Sequence, residues 1–280
     1  MVIHKETQII LDQIMASMPH ALIVTGNRGV GLTSIAQQIA SQLQSPKLVI
    51  SPKRKLENGK KIVTDYDKGS MIIDDIRDLY TLTRSKNAQN QVYIFDFGDR
   101  TMTQQAQNAF LKLLEEPRAN VYFILATHRE DELLPTIRSR AQTLRVRNIT
   151  RAQSERLLDD LSVVDQTKRA RILFASVGLP ELIEQLATNE TTYENRIAVM
   201  QDAKILISGS AYDKLKVIQK YKDDRPGVLL LLDDVTLQLE SVLRRSGDVS
   251  IAKQIERHIK TRQTINDNGN IRLQLAADML

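Results

Sequence analysis

The sequence predicts a layered α/β domain, with helices on both faces of a parallel sheet, followed by an all-helical region. Three observations carry this. Short apolar runs rich in β-branched and aromatic residues recur: "ALIVT" at 21–25, "VYIFDF" at 92–97 and "VYFILAT" at 121–127. Stretches with helical spacing lie between them. From about Ile149 onward the strand pattern stops and only helical patterns continue.

Taken in order, the first run ends in glycine, and Ile35, Ile39 and Leu43 at i, i+4, i+8 after Thr33 and Ser34 predict a helix. Residues 48–65 read as a small excursion turning at Asn58 and Gly59. Its Lys53, Arg54, Lys55, Lys60 and Lys61 fit a solvated hairpin better than a nucleic-acid contact. In "QQAQNAFLKLLEEP", Ala106, Phe110 and Leu113 share one face until Pro117 ends the helix. "TRAQSERLLDDL" and "TKRARILFASVGLPELIEQLA" predict two or three short helices, broken at Gly178 and Pro180. Beyond Asn189, Leu232, Val235, Leu239 and Val242 form one apolar stripe, and Ile251, Ile255 and Ile259 another. These stripes are expected to form the inside of a bundle, with association between subunits as an additional use.

The 280 residues, 42% hydrophobic and 26% charged, suffice for a packed core and more than one domain. A net charge of +5 permits an acidic partner such as nucleic acid, yet 39 basic residues against 34 acidic ones fit an ordinary mixed surface better. The absence of cysteine excludes disulfides and thiolate metal sites. His4, His20, His128 and His258 stand too far apart in sequence for a local ligand pair, so no metal is expected. The opening "MVIHKETQIILDQIMASMPH" lacks an unbroken apolar run, and no stretch approaches the roughly 18 apolar residues of a membrane span. A cytoplasmic protein without a membrane partner is expected.

The stretch "GNRGVGLTS", Gly26 to Ser34, has the spacing of a phosphate-binding loop. In such a loop, G-x-x-x-x-G-K-[ST], backbone N–H groups at a helix N-terminus cradle phosphates, the lysine reaches the β and γ phosphates, and the hydroxyl holds Mg²⁺. Gly26, Gly29, Gly31 and Thr33 are present, but Leu32 stands at the lysine position. The strand "YIFDFGD" gives an independent check. Asp96 takes the metal position, Phe97 stands where the glutamate that orients the attacking water belongs, and Asp99 comes two residues late. With two catalytic parts missing, hydrolysis by this chain is not expected; residual weak binding of ATP or ADP stays open.

On "DDIRDLY" (74–80), "QNAFLKLLEEPRANVYFILATHREDELLPTIRSRAQTLRV" (107–146) and the degenerate loop, the sequence resembles the gamma/delta-prime family of bacterial DNA polymerase III clamp-loader subunits, which have an AAA+ fold. The resemblance runs over residues 10 to 188. It implies an AAA+ α/β domain at 1–148 with a degenerate P-loop, a small helical lid at 149–188, and a helical collar for oligomerisation at 189–280. Motor subunits of the family keep the lysine and delta-prime often loses it, so Leu32 and Phe97 imply a non-catalytic, delta-prime-like subunit. "TIRSRAQ" is similar to the family's Ser-Arg-Cys motif, with Ala141 replacing the cysteine. This implies that Arg140 is an arginine finger, catalytic in trans on a neighbouring subunit's ATP, whereas Arg138, Arg145 and Arg147 are expected to form a basic edge satisfied by local carboxylates. Thr127 and His128 fall at the sensor-1 position and are expected to pack and hydrogen-bond. The family's four-cysteine zinc module is missing, and residues 44–62 would be its shortened replacement.

The resemblance further implies partners: gamma/tau motor subunits, a delta subunit, the sliding clamp, and primer-template DNA reached through the complex. The implied role is that of a stator which helps the motor subunits load the clamp. Two alternatives remain at this point, an ATP-hydrolysing gamma/tau-like motor that draws a cation from elsewhere, such as Arg28, and a stand-alone DNA-binding AAA+ protein.

Overall fold

The computed structural model describes residues 2–55, 62–66, 69–83, 89–98 and 100–279. They divide into two compact units, Met1–Ser162 with Ser176–Ile183, and Val163–Ala175 with Glu184–Leu280.

The strands of the first unit are β1 (Ala21–Gly26), β2 (Lys47–Ile50), β3 (Lys53–Lys55), β4 (Ile62–Thr64), β5 (Gln91–Gly98), β6 (Val121–Thr127) and β7 (Gln142–Val146). Its helices are α1 (Lys5–Ala16), α2 (Leu32–Gln42), α3 (Ile73–Thr83), α4 (Gln104–Glu115), α5 (Pro135–Arg138) and α6 (Arg151–Asp160). Five strands form one sheet in the order β2-β5-β6-β1-β7, with every neighbouring pair parallel, and β3 and β4 form a separate antiparallel pair.

Alternation along each strand sorts the side chains into two cores, one per sheet face. Leu22, Val24, Val92 and Ile94 pack with residues of α1 and α2, among them Leu11, Ile14, Ile35 and Ile39. Ile23, Tyr93, Phe95 and Phe123 pack with residues of α3 and α4, among them Ile76, Leu79 and Phe110. Phe110 meets Phe95 and Phe123 edge-on at 5.0 and 5.2 Å between ring centroids, the arrangement aromatic quadrupoles favour. Helix α4 starts where the Thr103 side chain accepts from Ala106 N. It stops at Glu115, one residue before the position that Pro117 biases away from helix.

Two strands escape the sequence pattern. β2 lies within the stretch expected to be an excursion, yet it pairs with β5; Lys47, Leu48 and Val49 are exposed and only Ile50 is buried. In β7 only Leu144 and Val146 are buried. Edge strands need cover only part of one face, so their composition stays mixed. The expected turn at Asn58 and Gly59, together with Lys60 and Lys61, lies outside the described residues, as does Asp99.

The second unit is helical. The division passes through α7 (Gln166–Ser176) and α8 (Pro180–Thr188), and α9 (Glu190–Ser208), α10 (Ala211–Lys220), α11 (Arg225–Ser246), α12 (Val249–Asn266) and α13 (Ile271–Met279) follow. Asn189, Ser210, Asp224 and Asp248 cap the N-termini of α9 to α12 through their side chains. Leu206, Ile218, Leu231, Leu232, Val235, Leu239, Ile265 and Leu275 are core residues of the bundle. The two apolar stripes expected to lie inside are corrected at one end each: Val242 is 37% exposed and Ile259 is 52% exposed. At 100° per residue a four-residue step over-rotates by about 40° and a three-residue step under-rotates by about 60°, so each stripe drifts off the core as it lengthens. Within this core Asp234 is buried against the Arg196 guanidinium, which also lies 2.5 Å from its Oδ1 through Nη2. Asp278 is buried against His258 Nδ1 at 2.6 Å and Arg257 Nε at 2.7 Å.

Candidate functional site

The chain leaves β1 into the glycine-rich loop and re-enters a helix at α2. Gly29 and Gly31 have φ of +84° and +86°, the left-handed region that glycine tolerates best, and Gly31 is the N-cap of α2. At Gly26 a Cβ would stand 2.6 Å from Val146 O, so the approach of β7 leaves no room for a side chain. Backbone geometry thus accounts for all three glycines without a ligand. Leu32, the first residue of α2, is 5% exposed and belongs to the core that holds Val24, Val30 and Ile35. Thr33 is half-buried beside it.

At the end of β5, Asp96 is half-buried and Phe97 is fully buried, stacked on Phe95 with centroids 6.0 Å apart. The pairing of β5 with β6 is irregular between Asp96 and Gly98, which places Phe97 at a bulge. Asp96 Oδ2 accepts a hydrogen bond from the Tyr66 hydroxyl at 2.9 Å, and Ser51 Oγ lies 3.2 Å from the same hydroxyl. Burial pushes the Tyr66 hydroxyl above the ordinary tyrosine range; Ser51 works against this and the Asp96 carboxylate adds to it. Sequence reasoning missed Tyr66 altogether. It is 30 positions from Asp96, and no local pattern marks it.

Thr127 is fully buried, and its hydroxyl accepts from Arg129 N at 3.0 Å. His128 Nδ1 lies 2.8 Å from Gly26 O; a carbonyl only accepts, so Nδ1 carries the hydrogen. On the other side of the loop, Glu181 N donates to Gly29 O at 3.0 Å, and Leu179 packs over Gly29. Asn27 Nδ2 reaches Asn148 Oδ1 at 3.0 Å, and Asn148 Nδ2 donates to Val177 O. The loop is thus held by its own chain from both flanks.

A magnesium-bound triphosphate needs a cation over its β and γ phosphates and a carboxylate free to meet the metal. The residues here do not fit that group. Leu32, at the position the motif gives to the cation, is apolar and in the core, Phe97, at the water-orienting position, is a buried phenyl, and Asp96 already holds Tyr66. Among the described residues no group of histidines and carboxylates could hold a metal ion.

A family model described as "DNA polymerase III, delta subunit" matches residues 4–150, just over half of the chain. The chain belongs to this family. It is 31% identical to the DNA polymerase III subunit tau of Salmonella typhimurium over 169 residues, 55% of this chain and 26% of that one. It is 26% identical to the DNA polymerase III subunit delta-prime of Haemophilus influenzae over 174 residues, 58% of this chain and 53% of that one. A gamma-subunit-related structure from Thermotoga maritima has a similar fold, with a TM-score of 0.54 at 19% identity, over 98% of this chain and 97% of that one. The chain spans about a quarter of the length of its tau relative and about half that of its delta-prime relative. It is a member of the DNA polymerase III clamp-loader family, with a parallel α/β sheet domain and a helical C-terminal part.

The remaining family-motif residues lie around α5. Arg140, just past its end, donates through Nη2 to Glu115 Oε1 at 3.0 Å and through Nη1 to Thr136 O at 3.1 Å, with its side chain 37% exposed. Arg145 reaches Glu130 at 3.5 Å, Arg147 pairs with Glu6, and Arg138 is exposed. In the basic pair of strands, Lys53 pairs with Asp75 and Arg54 with Asp65, each at 3.0 Å. These ion pairs engage Lys53 and Arg54 locally. Among the described residues no helix is long and apolar enough to cross a membrane.

Proposed function

We propose that this family member acts as a delta-prime-like stator: a subunit that hydrolyses no ATP itself and helps motor subunits load a sliding clamp onto primed DNA. The observation that carries this reading is the burial of Leu32 and Phe97, at 5% and 0% exposure, in the two positions that a hydrolysing relative gives to lysine and glutamate. Both side chains are parts of packed cores, so restoring either polar group costs core packing as well as requiring its partner.

Arg140 would act in trans on a neighbouring subunit's ATP. Its present tether supports that use: an exposed Arg–Glu pair contributes about 0–1 kcal/mol, so the guanidinium can leave Glu115 for a phosphate at little cost. In this reading Thr127 and His128 are packing and hydrogen-bonding residues. Residues 149–188 serve as a lid and 189–280 as a collar. The partners are gamma/tau and delta subunits, the clamp, and primer-template DNA through the complex. The protein works in the cytoplasm, needs no zinc, and binds ATP or ADP weakly if at all.

A motor reading has the tau relatives in its favour. Titrating the purified chain with ATP separates the two, because micromolar affinity with turnover would establish a motor and remove the stator. Co-purification with candidate motor, delta and clamp subunits tests the assembly; failure to enter any such complex would refute it.

A further inference from the structure

The helical unit carries a cavity of about 450 Å³ that the family's nucleotide chemistry does not use. Three helices line it, each with one face. Arg171 and Phe174 come from α7, Met200 and Lys204 from α9, and Val242 and Arg245 from α11. The spacings of three and four residues put each pair on one side of its helix. Gln238 Nε2 donates to Met200 O at 2.9 Å, fixing α11 against α9 at the base of the groove.

The lining chemistry is one-sided. Arg171, Lys204 and Arg245 are exposed and no carboxylate lines the groove. Three acidic residues on these helices are engaged elsewhere: Asp202 with Lys220 and Tyr221, Asp234 with Arg196, Glu240 with Arg244. Arg245 Nε bonds back to its own helix, at Ser241 O. Between the three cations the floor is apolar, built from Phe174, Ile197, Met200 and Val242.

We propose that this groove binds an acidic amphipathic peptide segment of a partner protein, its apolar side chains on the floor and its carboxylates on Arg171, Lys204 and Arg245. Apolar anchors flanked by charge are how a helix or strand is recognised in a groove, and methionine adapts its shape to such anchors. Single-stranded nucleic acid, the other polyanion, is gripped by a series of stacking aromatic rings. This groove offers one, Phe174.

The test uses the full chain and fluorescence anisotropy with three labelled probes. One is a helical peptide alternating leucine and glutamate faces, the second its glutamine counterpart, and the third an oligothymidine. The glutamate peptide is expected to bind, to weaken with added salt, and to lose roughly tenfold or more in affinity in the Lys204→Glu/Arg245→Glu variant. Val242→Asp, at a partly exposed floor position, is expected to weaken the same probe while the melting curve stays in place. Equal binding of the glutamine peptide, or no response to charge reversal, would overturn the proposal. Oligothymidine binding that is tighter and lost in the same reversal would overturn it in favour of a nucleic-acid groove.

Discussion

The Tyr66 hydroxyl donates to Asp96 Oδ2 at 2.9 Å, so this carboxylate is engaged within its own chain. Tyr66→Phe removes that donor and the Ser51 contact together. The expected loss is about 1 kcal/mol, a fall of a few degrees in melting temperature. Alkaline spectrophotometric titration should also lose one tyrosine that ionises above the usual range. An unchanged melting curve would mean that the contact contributes nothing.

Leu32→Lys alone should yield no ATPase, because Phe97 still denies the attacking water its carboxylate. It should also destabilise the α/β unit by about 1–3 kcal/mol, since an ammonium then starts α2 from a core position. Turnover in a sensitive phosphate-release assay would sink the stator reading.

Arg140→Ala should leave the chain folded and able to assemble. In a reconstituted complex the ATP site it serves should slow by a factor on the order of 10³, so the total ATPase falls by a fraction while clamp loading falls further. Arg138→Ala and Arg147→Ala are the controls: the first removes an exposed cation, the second one paired with Glu6. Loading at the unmodified rate, or controls that do equal damage, would return Arg140 to a merely structural role beside Glu115.

Arg196→Met strands a carboxylate in the helical core. Asp234 is 1% exposed, and burial already raises its pKa against the opposing pull of Arg196. Removing one partner of such a pair typically costs about 3–5 kcal/mol, whereas replacing both with apolar residues is near neutral. Denaturant titration should therefore find Arg196→Met/Asp234→Leu more stable than the single variant; the reverse order would contradict this account.

Asp278 supplies a pH dependence. Burial alone would raise its pKa, but His258, Thr261 and Arg257 outweigh that and hold the carboxyl below the ordinary range. A depressed carboxyl stabilises the fold above its unfolded pKa, near ~4, and that contribution disappears as pH falls through the lower folded value. The chain should lose stability between about pH 5 and pH 2 more steeply than Asp278→Asn. Parallel curves would remove Asp278 from the acid response.

Much of the α/β unit was legible because its central strands are buried on both faces. Leu22 to Val24, Val92 to Phe95 and Phe123 to Ala126 cannot avoid reading as apolar runs. β2 and β7 were illegible for the converse reason, since solvent admits Lys47 and Arg145 into them. The glycine-rich loop was legible through its spacing, and Leu32 and Phe97 can be set against a motif without any knowledge of packing. The contacts that close the site were not legible. Tyr66 with Asp96, and Glu181 with Gly29, join distant segments through a hydroxyl and a backbone amide, and neither leaves a periodicity to read.

The amide of Glu181 meets Gly29 O as a tethered group, and a tether fixes the effective concentration of what it carries. A dissolved nucleotide that closed the same loop would do so by mass action and would let go as its pool was drained. Here the closing element cannot be diluted. The loop's conformation is therefore held by contacts that its own chain supplies.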